Sequence, residues 1–249
     1  MSESVPLADA LTQAIAHHQA GRLAEAEVLY RAALDAVQNQ PQAHHNLGIV
    51  LAVTGRAEAA LPHFKAALEA DASQGQFWLS HAELLLHMGQ AGTALEVLDE
   101  GRRHGLSGDV VDAVTARACM AAALEHHGAG RLTEAASGYR RVLDLAPADV
   151  AAQANLGIAL TTLGRFKEAE GHARRAVEID SGNVAAQFNL GCLLYDTSRM
   201  DEAEACFRRV LDLEPGHVDA LTNLARVRQD QGRIDEPVFV APSLCRRRA

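Results

Sequence analysis

Two stretches of the chain nearly coincide: "NLGIVLAVTGR" at 46–56 and "NLGIALTTLGR" at 155–165. They lie 109 residues apart, which is three periods of 34 plus a slip of seven. Aligning the glycine–arginine turns makes the period explicit. Gly21, Gly55 and Gly89 stand 34 apart, as do Gly130, Gly164, Ser198 and Gly232, while the step from Gly89 to Gly130 is 41. Arginine follows the turn at Arg22, Arg56, Arg131, Arg165, Arg199 and Arg233, and Gln90 is the exception.

Fixed offsets around each turn carry a steric message. Seven residues upstream stand Ala14, Gly48, Ala82, Ala123, Gly157, Gly191 and Ala225; five downstream stand Ala26, Ala60, Ala94, Ala135, Ala169 and Ala203. One small residue on each of two helices marks where their backbones nearly touch, because a larger side chain would push the pair apart. Nine residues after the turn come Tyr30, Phe64, Leu98, Tyr139, Ala173 and Phe207, mostly bulky and suited to fill the space beneath the next pair. Each unit therefore reads as helix A, a turn, then helix B. Helices this short are marginal alone and need stacked neighbours. Stacked A–B pairs build an all-α, right-handed superhelical solenoid. Pro147 and Pro215 sit just past helix B, where a proline ends a helix at little cost.

Composition agrees. Of 249 residues 48% are hydrophobic but only 4% aromatic, which favours closely packed helices over disorder or aromatic-rich strands. A net charge of −9 disfavours a general nucleic-acid binder, which needs a basic face. Cys119, Cys192, Cys206 and Cys245 form no CxxC pair, so they read as small thiols in a reducing compartment. The first residues have no basic, apolar leader and no run of 18 apolar residues appears, so a cytoplasmic chain that does not enter the membrane is expected.

The pattern resembles the tetratricopeptide repeat, whose signature places Trp, Leu-Gly and Tyr on helix A and Ala, Phe, Ala and Pro beyond the turn. Leu47, Gly48, Ala60, Phe64 and Ala67 match in the second repeat, and Leu190, Gly191, Ala203, Phe207 and Pro215 in the sixth. The tryptophan position is met once, by Trp78. Repeats fall at 7–40, 41–74 and 75–108, then at 116–149, 150–183 and 184–217. The residues 109–115 are an insertion, either a joint between two sub-arrays or a slight offset within one continuous stack, with 109–128 read as one longer helix. In the third repeat Gly101 and Arg102 depart from the family pattern. A capping helix is expected at 218–231, and an irregular tail at 232–249 that Pro237 breaks from the repeat.

In this fold helix A lines a concave groove. Its sixth position holds Asn46, Asn155, Asn189 and Asn223, against Thr12, Ser80 and Ala121 elsewhere. An asparagine amide offers a donor and an acceptor side by side, matching the N–H and C=O of an extended peptide. The row is similar to the asparagine ladder of O-linked N-acetylglucosamine transferases. That resemblance implies a continuous stretch at Asn155, Asn189 and Asn223, with Asn46 apart; the competing reading has these amides bonding neighbouring helices. His45 at the fifth position, Ile158 at the ninth, Phe188 and Tyr195 complete the expected peptide-binding set. The lysine and arginine clamp that family members use on a C-terminal carboxylate is essentially absent from the fifth and ninth positions, where Arg226 is the only lysine or arginine. The pairs His17–His18, His44–His45 and His126–His127 diverge by about 100° on their helices, so no metal site is expected. His17 and His126 are expected to pack against the neighbouring helix.

No cofactor-binding or catalytic motif stands out, so the chain reads as a non-enzymatic scaffold for a protein or peptide partner. The alternative is the substrate-recruiting arm of a glycosyltransferase or sulfotransferase system whose catalytic part is separate. Self-association through the ends of the stack is a third expectation.

Overall fold

The computed structural model describes residues 7–233, with side chains from Asp9 onward. Pro237, Cys245 and the arginine-rich end of the expected tail lie outside the described residues. Among the described residues thirteen helices follow one another: α1 (Leu7–Gln19), α2 (Leu23–Ala36), α3 (Pro41–Val53), α4 (Ala57–Ala70), α5 (Gly75–His87), α6 (Ala91–Arg103), α7 (Asp109–Gly128), α8 (Leu132–Leu145), α9 (Val150–Thr162), α10 (Phe166–Ile179), α11 (Val184–Asp196), α12 (Met200–Leu213) and α13 (Val218–Asp230). Among the described residues there is no strand, and no helix is long and apolar enough to cross a membrane. The chain forms two compact units, Met1–Ala121 and Ala122–Ala249. Each is an all-α stack of helix pairs.

The turns explain why glycine recurs. After α1, the Arg22 N–H bonds the His17 carbonyl at 2.9 Å and the Gly21 N–H bonds the His18 carbonyl at 3.0 Å. This closure needs a left-handed residue, and Gly21 supplies it at φ 73°. Ser198 takes the same conformation at φ 62°, the one non-glycine residue with positive φ among those described. At the other end of the helices, Asp149 and Asn183 side chains accept from the Ala152 and Ala186 N–H groups at 2.8 and 2.9 Å, capping α9 and α11.

The small-residue positions are where the helices meet. Ala26, Ala60, Ala94, Ala135, Ala169 and Ala203 are all fully buried. Their upstream partners are buried too, except Ala225, which is exposed. In the first unit Tyr30, Leu47, Phe64 and neighbouring residues form one core cluster, and Trp78, Leu98, Leu106, Val111 and Val114 another. The inserted residues 109–115 thus enter the core through two valines. Gly101 is not a blemish in the repeat. A Cβ there would meet Leu106 Cδ2 at 2.8 Å and Trp78 Cγ at 3.0 Å, so glycine makes room for both side chains. Arg102 bonds Asp112 at 2.9 Å and Thr115 at 3.1 Å, tying α6 to the start of α7.

Turn arginines work outside the core. Arg56 reaches back to Glu27 on α2, and Arg199 to Glu170 on α10. Arg22 and Arg131 instead donate to His17 and His126 at 2.9 and 2.8 Å. His17 and His126 therefore brace the turn of their own unit; the second histidine of each pair meets the tyrosines, His18 with Tyr30 at 3.4 Å and His127 with Tyr139 at 3.1 Å.

Candidate functional site

In the second unit, α9 and α11 pack side by side. Between them a recess of about 140 Å³ opens, lined chiefly by Gly157, Ile158, Ala173, Asn189, Cys192 and Leu193. The counterpart in the first unit lies between α3 and α5 and is lined by Ile49, Phe64, Ser80, Glu83 and Leu84, among others. These residues precede their equivalents by 109, the offset of the two duplicated stretches. The first-unit recess is the larger, about 540 Å³, and Ala173 stands where Phe64 forms part of its wall. That ring lies over Gly48, with its Cε1 3.0 Å from where a glycine Cβ would be. In the sixth repeat Phe207 lies over Gly191 in the same way, with Cε1 at 2.8 Å. In the fifth repeat no ring covers Gly157; a Cβ there would meet the Ala169 carbonyl at 3.4 Å and the Ala173 N and Cβ at 3.5 and 3.6 Å.

The asparagines differ from one another. Asn155 and Asn189 are half-buried, and neither side chain has a hydrogen-bond partner among the described residues. Asn223 donates to Cys192 Sγ at 3.7 Å. Asn46, in the first unit, accepts from Gln42 at 3.1 Å on its own helix. Asn46 is thus engaged on its own helix and Asn223 by the neighbouring α11, whereas Asn155 and Asn189 have no hydrogen-bond partner among the described residues. Burial holds the Cys192 thiol at a pKa of about 11, so it contributes to the recess as a neutral, weakly polar group.

The recess brings Ile158 and Asn189 together. Phe188 points elsewhere: its ring packs on Phe207 at 5.8 Å and on His217 at 5.2 Å, so it belongs to the joint between α11, α12 and α13. Tyr195 donates to Asp230 at 2.5 Å and lies beneath the Arg226 guanidinium at 5.4 Å, which holds α11 to α13. The expectation for His45 is corrected. The ring is 4% exposed, packed against Phe64 and Phe77, and bonded to Ser80 Oγ at 2.9 Å, so it is core rather than groove surface. Ala173, Cys192 and Leu193 were missed as site residues. The signal for Ala173 was its place as the one small residue in an otherwise bulky series.

Comparison with known proteins settles the family. The tetratricopeptide repeat profiles match residues 11–75, 45–103, 120–184 and 184–217. The chain belongs to the tetratricopeptide repeat family. No curated protein matches it. Among solved structures, it is similar to YrrB, described as a TPR protein with an unusual peptide-binding site. The identity is 19% and the TM-score 0.56, over 78% of this chain and 96% of that one. It is also similar to PilF of Pseudomonas aeruginosa, at 16% identity and a TM-score of 0.51, over 88% and 97% of the two chains. Both likenesses concern the fold.

Proposed function

We propose that this tetratricopeptide repeat chain is a non-catalytic interaction scaffold that binds an extended peptide segment along the A helices of its second unit. The observation that carries this reading is the pair of unpartnered amides, Asn155 and Asn189, at the same position of successive A helices. Packed helices lie ~8–10 Å apart, and an extended chain advances ~3.3 Å per residue, so each repeat spans about three peptide residues. One asparagine per repeat matches that step, holding backbone groups without regard to side chains. YrrB is described as having a peptide-binding site; the same ligand class is assigned here on this chain's own asparagines.

Selection of a random dodecapeptide phage library on the purified protein tests the reading. Peptides enriched on the wild type and lost on the folded Asn155→Ala/Asn189→Ala variant support it. Equal enrichment on both contradicts it. The recruiting-arm alternative uses the same row and differs in requiring a separate transferase, which would co-purify with the chain.

A further inference from the structure

We propose that the recess between α9 and α11 receives a phenylalanine-type side chain from the bound segment, an inference that rests on the peptide-binding function proposed above. The chain itself shows what fits there. In the second and sixth repeats the equivalent space over the glycine holds the protein's own ring, Phe64 or Phe207, each at most 1% exposed. In the fifth repeat Ala173 supplies only a methyl group, remains 5% exposed, and lines the recess. The space of about 140 Å³ is close to the ~150 Å³ apolar cavity that admits benzene in an engineered protein.

The lining suits a ring. Leu193 is 3% exposed and Ile158 half-buried, and the Cys192 thiol stays protonated. The Thr161 hydroxyl, also at the recess, already donates to the Gly157 carbonyl at 2.9 Å. The Asp196 carboxylate stands at the rim, exposed to solvent, and Asn189, half-buried and without a hydrogen-bond partner among the described residues, has its amide available to hold the backbone of the residue whose side chain enters. A ligand ring here would complete the fifth repeat as Phe207 completes the sixth. This geometry predicts a requirement for an aromatic residue at one peptide position and tolerance at its neighbours.

The test uses N-acetyl-phenylalanine amide, with N-acetyl-alanine amide as control, titrated into the full chain. The readout is the methyl NMR signals of Ile158 and Leu193. Saturable millimolar shifts with the phenylalanine probe are expected, absent with the alanine probe and at least tenfold weaker in Ala173→Phe. Because Ala169 and Ala173 approach Gly157 closely, Ala173→Phe is paired with Ala173→Leu, which occupies part of the space with less demand on the α9–α10 contact and is expected to weaken the probe less. Absence of saturable shifts, or equal shifts in both variants, overturns the inference. The phage selection separates it from the parent reading. Peptides that depend on Asn155 and Asn189 but show no aromatic preference, or an aliphatic one, overturn the recess and leave the function intact. Probe binding in the recess without asparagine-dependent peptides supports the recess and removes the function.

Discussion

The Phe207 ring lies directly over Gly191, with Cε1 2.8 Å from where a Cβ on that glycine would be. Phe207 is fully buried, so its ring cannot swing aside. Gly191→Ala is therefore expected to destabilise the second unit by about 1–2 kcal/mol, overpacking outweighing the gain in helix propensity. Gly157→Ala should behave oppositely. Its methyl would make ordinary contacts at 3.4–3.6 Å, and replacing a mid-helix glycine should stabilise by up to ~1 kcal/mol. Urea unfolding of the two variants measures the contrast.

Ser198 carries the turn between α11 and α12 at φ 62°. A left-handed serine costs roughly 1 kcal/mol that glycine avoids. Ser198→Gly is expected to raise the denaturation midpoint, by up to about 1 kcal/mol in stability. The same substitution at an ordinary helical serine would lower it.

His81 gives the first unit a dependence on pH. It is 4% exposed, neither ring nitrogen has a hydrogen-bond partner, and it stacks on Phe64 at 6.1 Å. Burial lowers its pKa from 6.5 to about 4. The unfolded chain takes up a proton near pH 6.5 that the folded chain refuses, so this contribution is full above pH 6.5 and is lost as pH falls towards 4. The loss is on the order of 3 kcal/mol once the pH is below 4. His81→Phe should keep the stack and flatten the fall in melting temperature between pH 7 and pH 5.

Glu204 is the buried acid of the second unit. It is 5% exposed and pairs with Arg228, itself 5% exposed, at 3.2 Å, and with Arg233 at 2.9 Å. Glu204→Ala removes from a buried site the carboxylate that Arg228 and Arg233 share and should cost on the order of 2–3 kcal/mol. Glu58→Ala, at an exposed carboxylate in the first turn of α4, should cost well under 1 kcal/mol. Chemical denaturation of the two variants checks the difference.

The repeat was legible because its punctuation is chemical. Glycine at a left-handed turn and alanine at a backbone contact recur at 34-residue intervals, and among the described residues the helices alternate with those turns. The site was less legible. Position alone made Asn46, Asn155, Asn189 and Asn223 equivalent, yet neighbours decide their roles: Gln42 engages one and Cys192 another. His45 followed the groove register but turned inward, because Phe64 and Phe77 offer it an aromatic slot and Ser80 a partner. Ala173 was visible as an outlier in a bulky series. That a recess would remain there depends on how closely α9, α10 and α11 approach, which is a property of the packing.

The most direct test of the account is calorimetric titration of a library-selected peptide into the wild type and into Asn155→Ala/Asn189→Ala. At about 1 kcal/mol per hydrogen bond, removing both amides should weaken binding at least about tenfold while the melting temperature stays near that of the wild type. Unchanged affinity in the folded double variant would contradict the assignment of these asparagines to the ligand.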